Sequence, residues 1–130
     1  MPVHAIGGVF FRARDPDVLA DWYARHLGVG PGLSPTGPTE DRWAWQTEGG
    51  PVVFAPFRTT SDYFGPEQSV MLNFRVSDLD GMMTRLADAG IAVETRPEWN
   101  DPQTGRFARI QDPEGNAIEL WEPPPPTAAP

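Results

Sequence analysis

The sequence predicts an α+β domain made of two copies of one strand–helix–strands unit. Three observations carry that prediction. Short segments with period-two alternation are interrupted by two longer segments with helical periodicity. Each helical segment opens at an aspartate and closes at a glycine. The stretch Phe11-Arg12-Ala13-Arg14-Asp15-Pro16-Asp17 recurs as Phe74-Arg75-Val76-Ser77-Asp78-Leu79-Asp80, at a constant offset of 63 residues.

Taken in order, Val3 to Arg14 reads as a strand, with Val9, Phe11 and Ala13 on one face and Gly8, Phe10 and Arg12 on the other. Asp15 is an N-cap and Pro16 suits the first helical position. The helix Pro16–Leu27 places Leu19, Trp22, Tyr23 and Leu27 along one stripe, and Gly28 ends it. Short strands follow at Trp43–Thr47 and Val52–Phe57, around the turn signal Gly49-Gly50-Pro51. Residues 58–68 are polar and read as a loop containing Tyr63-Phe64-Gly65-Pro66. Ser69–Val76 is the next strand, Asp78 the next cap, and Leu79–Ala89 the second helix, closed by Gly90. Strands at Ile91–Arg96, Phe107–Gln111 and Ala117–Glu122 complete the pattern, the last two joined by the turn Asp112-Pro113-Glu114-Gly115-Asn116. The expected organisation is one domain over 1–122, with modules 1–57 and 69–122 joined by loop 58–68. A Pro-rich extended tail covers 123–130.

Composition narrows the chemistry. The chain has 130 residues, 10 basic against 18 acidic, and a net charge of -8. Every basic residue is Arg. With no Cys there is no thiol nucleophile, disulfide or zinc–thiolate site. With no Lys there is no Schiff-base or phosphate-loop lysine. The acidic balance argues against a nucleic-acid surface. No apolar run is long enough to span a membrane, and no basic-then-apolar leader is seen at the start, so a cytoplasmic location is expected.

Two modules whose helices cover one sheet face leave the other face as a concave groove, the expected small-molecule site. Strand alternation assigns Gly8, Phe10, Arg12, Phe54, Met71 and Asn73 to that face, together with Arg75, Phe107, Arg109, Glu119 and Trp121. Val9, Phe11, Val53, Leu72, Phe74, Val76, Ile118 and Leu120 belong under the helices. Glu119 is the candidate general acid or base, with ion pairing to Arg109 or Arg75 as the structural alternative. Asn73 is a candidate hydrogen-bonding partner for a substrate oxygen, or else an amide bridging strands. Arg12 and Arg75 are repeat-equivalent and suit an anionic ligand, or are solvated strand ends. Phe54, Phe107 and Trp121 suit stacking on a planar ligand, or fill core. Phe10 and Met71 complete the lining. Tyr63 and Phe64 suit a lid or a dimer contact, and His26 suits a helix C-terminus rather than catalysis.

The pattern resembles the vicinal oxygen chelate superfamily of glyoxalases, bleomycin-resistance proteins and extradiol dioxygenases. Asp15, Trp22-Tyr23 and Leu27-Gly28 carry the likeness in the first module. Asn73–Asp80 and Asp112-Pro113-Glu114-Gly115-Asn116-Ala117-Ile118-Glu119-Leu120-Trp121 carry it in the second. The resemblance implies paired βαβββ modules forming a curved mixed sheet around the groove, and a homodimer. It also implies four metal-ligand positions, which here are Gly8, Phe54, Met71 and Glu119. Only Glu119 is a normal ligand for such an ion. His4 lies about 13 Å along the strand from Gly8, too far to substitute. The expectation is therefore a glyoxalase-like protein that binds a small organic molecule, with no metal or other cofactor. The alternatives are a lyase or isomerase using Glu119, and a metal-dependent glyoxalase or dioxygenase.

Overall fold

Residues 6–30, 45, 47–50 and 52–125 are described by the structure, a computed structural model. They fall into two units, Met1–Trp45 and Gln46–Pro130.

The first unit is organised by helix α1, Pro16–Leu27. Its start is locally determined. The Asp15 carboxylate accepts from the Val18 amide at 3.2 Å, Pro16 fixes the first helical φ, and Asp17 complements the helix dipole. Its end is equally local, with Gly28 left-handed at φ 66°. Leu19 and Tyr23 are buried, and Tyr23 meets the rings of Phe11 and Trp22 edge-on. Trp22 and His26, one turn apart, bring their rings to 5.5 Å.

The second unit is one mixed sheet with a helix on one face. Its elements are β1 (Leu72–Arg75), α2 (Leu79–Asp88), a 3₁₀ turn (Pro97–Trp99), β2 (Asn100–Asp101), β3 (Gly105–Gln111) and β4 (Ala117–Glu122). The sheet order is β1-β4-β3-β2. β4 is central, parallel to β1 and antiparallel to β3. A parallel pair needs a crossover, and α2 lies within it. Ala108, Ile110, Ile118 and Leu120 point to the α2 side and are buried, as are Leu79 and Leu86 of the helix. Each of these leucine and isoleucine side chains contributes about 1.5–3 kcal/mol by leaving water. The Glu122 carboxylate accepts from the Leu79 amide at 2.9 Å, and Arg106 pairs with Asp80 at 2.7 Å, so the start of α2 is fixed to β4 and β3. Asp112 holds the β3–β4 turn by accepting from the Glu114 and Asn116 amides and from the Asn116 side chain, at 2.8 to 3.0 Å.

Several expected strands are corrected. Residues 6–14 and 52–57 form no strand and are mostly exposed, and no strand includes residues 45 or 47. Val9, Phe11 and Val53, expected under the helices, are exposed. The physical reason is that alternation specifies which side chains share a face but supplies no neighbouring strand for the backbone. Among the described residues these segments have no ladder partner. Strand 91–96 shrinks to a single bridge between Glu94 and Arg109, and strand 69–76 to Leu72–Arg75. The strand expected from Phe107 begins at Gly105 instead. Helix α2 ends one residue early, capped at Ala89, with Gly90 at φ 84° just beyond. Residues 1–5, His4 among them, and 126–130 of the tail lie outside the described residues. No helix among the described residues is long and apolar enough to cross a membrane.

Candidate functional site

Register builds the site. Asn73 of β1 lies opposite Glu119 of β4, and Glu119 lies opposite Arg109 of β3. The three form one row across the sheet, on the face away from α2. Glu119 is only 9% exposed. One of its oxygens, Oε1, accepts from the Asn73 amide at 2.7 Å, and Oε2 accepts from the Tyr63 hydroxyl. Both donors are neutral. The expected ion pair of Glu119 with Arg109 or Arg75 is not formed among the described residues.

Arg109 is held by rings instead. Its guanidinium lies 4.5 Å from the Tyr63 ring centroid and 5.1 Å from that of Trp99. One terminal nitrogen, Nη2, is 4.0 Å from the Met71 sulfur. Arg109 Nε is buried and has no hydrogen-bond partner among the described residues.

Tyr63 arrives from loop 58–68, which is tied to the sheet at its far end. The Gln68 side-chain amide donates to the Ala117 carbonyl and accepts from the Ala117 N–H, both at 2.9 Å. A side chain thus takes the place of a neighbouring strand at the start of β4, two residues before Glu119. Gln68 also donates to the Val70 carbonyl at 2.8 Å. Nearer the tip, the Tyr63 amide donates to Ser61 Oγ at 3.2 Å. The Tyr63 ring meets Phe57 at 5.7 Å and the edge of Trp99 at 6.3 Å. The Tyr63 hydroxyl is pushed up from 10.0 to about 12. Burial is the largest cause, followed by the hydrogen bond to Glu119 and its charge, while Arg109 pulls the other way.

The next row along the same strands is aromatic. Arg75, Trp121 and Phe107 are register partners. Phe107 and Trp121 stack nearly parallel, with centroids 6.3 Å apart and 7° between planes. Trp121 Nε1 donates to the Thr104 carbonyl at 2.7 Å, which fixes the indole. Arg75 turns to the Glu48 and Gly49 carbonyls, each at 3.2 Å.

The structure therefore gathers Met71, Asn73, Arg75, Phe107, Arg109, Glu119 and Trp121 on one face. Phe54 is 85% exposed and outside the sheet, while Phe10 (96% exposed) and Arg12 are exposed residues of the first unit. Sequence reasoning missed Trp99 and Gln68 altogether, and it named Tyr63 without its partner Glu119. The only available signals were a Trp directly after Pro97-Glu98 and an amide two residues before Val70.

The residues at the four positions that the resemblance assigns to an ion do not fit one. Gly8 and Phe54 offer no side-chain donor, and the Met71 thioether faces a guanidinium. Both Glu119 oxygens are already engaged. Among the described residues no group of three or more His, Cys, Asp or Glu is placed to hold a metal.

No curated protein matches the chain. Among solved structures, it is similar to TnmS3, an antibiotic binding protein from Streptomyces sp. CB03234. The two are 25% identical with a TM-score of 0.58, covering 95% of this chain and 98% of the other. It is also 34% identical to a glyoxalase/bleomycin resistance protein from Streptomyces sp. CB03234, over 42% of this chain and 46% of that one, with a TM-score of 0.35. The Glyoxalase-like domain profile matches residues 8–121, and with that coverage the chain belongs to the glyoxalase-like domain family of the vicinal oxygen chelate superfamily.

Proposed function

We propose that this chain is a metal-independent binder of a small, planar organic molecule, seated on the face formed by β1, β4 and β3. One observation carries the reading. That face sets a hydrogen-bonded carboxylate and a ring-stacked guanidinium beside a parallel Trp–Phe pair. Apolar surface with a few fixed polar groups is the usual make-up of a small-molecule site. The likeness to TnmS3, described as an antibiotic binding protein, supports it. Calorimetric titration against a panel of planar aromatic metabolites and antibiotics tests it. At least one micromolar ligand is expected, and none better than millimolar across the panel overturns the reading. Elemental analysis of the purified protein is expected to find no stoichiometric divalent metal.

The first half is proposed to follow the module plan of the second, to judge from the 63-residue offset and the matching Asp caps of α1 and α2. The whole is proposed to act as a homodimer. Exposed Val9, Phe10 and Phe11, and Val52, Val53 and Phe54, are the apolar surface that a second copy covers. Sedimentation equilibrium tests this, and a monomer at micromolar concentration overturns it.

A second reading, acid–base catalysis of the lyase or isomerase type, is favoured by the hydrogen bond between Tyr63 and the buried Glu119 carboxylate. Glu119→Gln is then expected to abolish turnover while retaining the fold. Undiminished turnover overturns that role.

A further inference from the structure

We propose that this face takes hydroxylated aromatic molecules, and that the ligand's phenolic hydroxyl replaces that of Tyr63 at Glu119. The inference rests on the binding role given above and names the ligand class for the same site.

Tyr63 is itself a phenol, carried on a loop that belongs to no strand or helix. Everything around its ring and hydroxyl recognises that group. Glu119 Oε2 accepts from the hydroxyl, while Asn73 occupies Oε1 and so fixes which oxygen is offered. The Arg109 guanidinium covers the ring at 4.5 Å, and Trp99 and Phe57 close on it at 6.3 and 5.7 Å. Each contact selects. A carboxylate acceptor requires a donor, so a hydroxyl fits and an ether or ketone does not. A cation over the ring prefers an electron-rich aromatic, and phenols are electron-rich. Among the described residues Arg109 pairs with no carboxylate and its Nε has no hydrogen bond, while rings lie against its guanidinium. Tyr63 supplies one of those rings from within the chain.

The site extends beyond one ring. Trp121 lies two residues along β4 from Glu119, about 7 Å away. A ligand of two or more fused rings with its hydroxyl at Glu119 reaches the Phe107–Trp121 stack, which tyrosine cannot.

The test uses 2-naphthol and its ether, 2-methoxynaphthalene, titrated calorimetrically into the unmodified protein, Tyr63→Gly, and Tyr63→Gly combined with Glu119→Leu. In Tyr63→Gly, 2-naphthol is expected to bind at least about tenfold more tightly than to the unmodified protein, and at least about tenfold more tightly than the ether. Adding Glu119→Leu is expected to erase the preference while the ether still binds. Equal binding of both compounds to Tyr63→Gly overturns the phenol inference and leaves the general binding role standing. If neither compound binds any variant, while other planar aromatics bind the unmodified protein, the phenol inference alone fails. If nothing planar binds at all, both readings fail. Should Tyr63→Gly not fold, the unmodified protein with ¹³C-labelled tyrosine carries the test. The Tyr63 ring signal is expected to move with 2-naphthol and not with the ether, and movement with both or neither overturns the proposal.

Discussion

The two faces of the four-stranded sheet are made by alternate residues of the same strands, yet they are held by different physics. Toward α2, Ala108, Ile110, Ile118 and Leu120 are apolar and buried against Leu79 and Leu86. On the other side, Asn73, Glu119, Arg109 and Tyr63 of loop 58–68 are joined through directed contacts: an amide, a hydroxyl and a cation over the rings of Tyr63 and Trp99. Burial on the first face is non-directional and roughly additive in area. Contacts on the second depend on distance and angle and return little net energy each. One face thus carries stability and the other is free to carry recognition.

The comparison can be broken most forcefully on the helix side. Leu120→Ala and Ile118→Ala are each expected to cost about 2–5 kcal/mol, read by urea unfolding, because the removed groups leave a cavity beside α2. The Tyr63 contacts should persist in both variants until the sheet itself unfolds. On the opposite face, Glu119→Leu leaves the Tyr63 hydroxyl and Asn73 amide without their acceptor. A smaller loss of about 1–3 kcal/mol is expected in the same assay.

Alkaline pH sharpens the contrast further. The Tyr63 hydroxyl ionises at about 12 in the folded chain, against an ordinary value of 10.0. The folded value is the higher one, so its contribution to stability is full below pH 10. It is lost as the pH rises through about 12. Unfolding midpoints of the unmodified protein should therefore fall over that window relative to Tyr63→Phe, and parallel curves would show that Tyr63 is not clasped to Glu119. The smallest effect is expected at the surface. Arg106 holds the exposed Asp80 carboxyl below its usual range through a hydrogen bond and its charge. Because that pair is solvated, Asp80→Asn should leave the unfolding midpoint nearly unchanged, in contrast to both faces of the sheet.

The repeat-equivalent segments explain how much was legible. Asp15 and Asp78 both cap helices, although Asp78 does so from a left-handed backbone at φ 52° and Asp15 from one at φ -133°. Capping is settled within four residues, so both helices could be read directly. Phe11–Arg14 and Phe74–Ser77 are alike in sequence, but only the second contributes to a ladder, because β4 lies beside it. Pairing is decided by residues far along the chain, and no local pattern encodes it. The site divides the same way. Alternation put Asn73, Glu119 and Arg109 on one face, since period two is local. The structural alternative read for Glu119, an ion pair with Arg109 or Arg75, is not what forms, since the Tyr63 and Trp99 rings lie against Arg109. Those rings come from a loop and a 3₁₀ turn, where side chains follow no period.

The Gln68 amide that stands in for a strand at Ala117 sets the terms on which any ligand competes. It pins the loop five residues from Tyr63. A tether this short presents the Tyr63 phenol to Glu119 at an effective concentration on the order of millimolar or above. Under the proposed binding role, a dissolved molecule must outcompete that standing phenol before it is held. The tether then works as a threshold, turning away weakly bound aromatics and admitting ligands whose additional rings or donors outweigh one tyrosine.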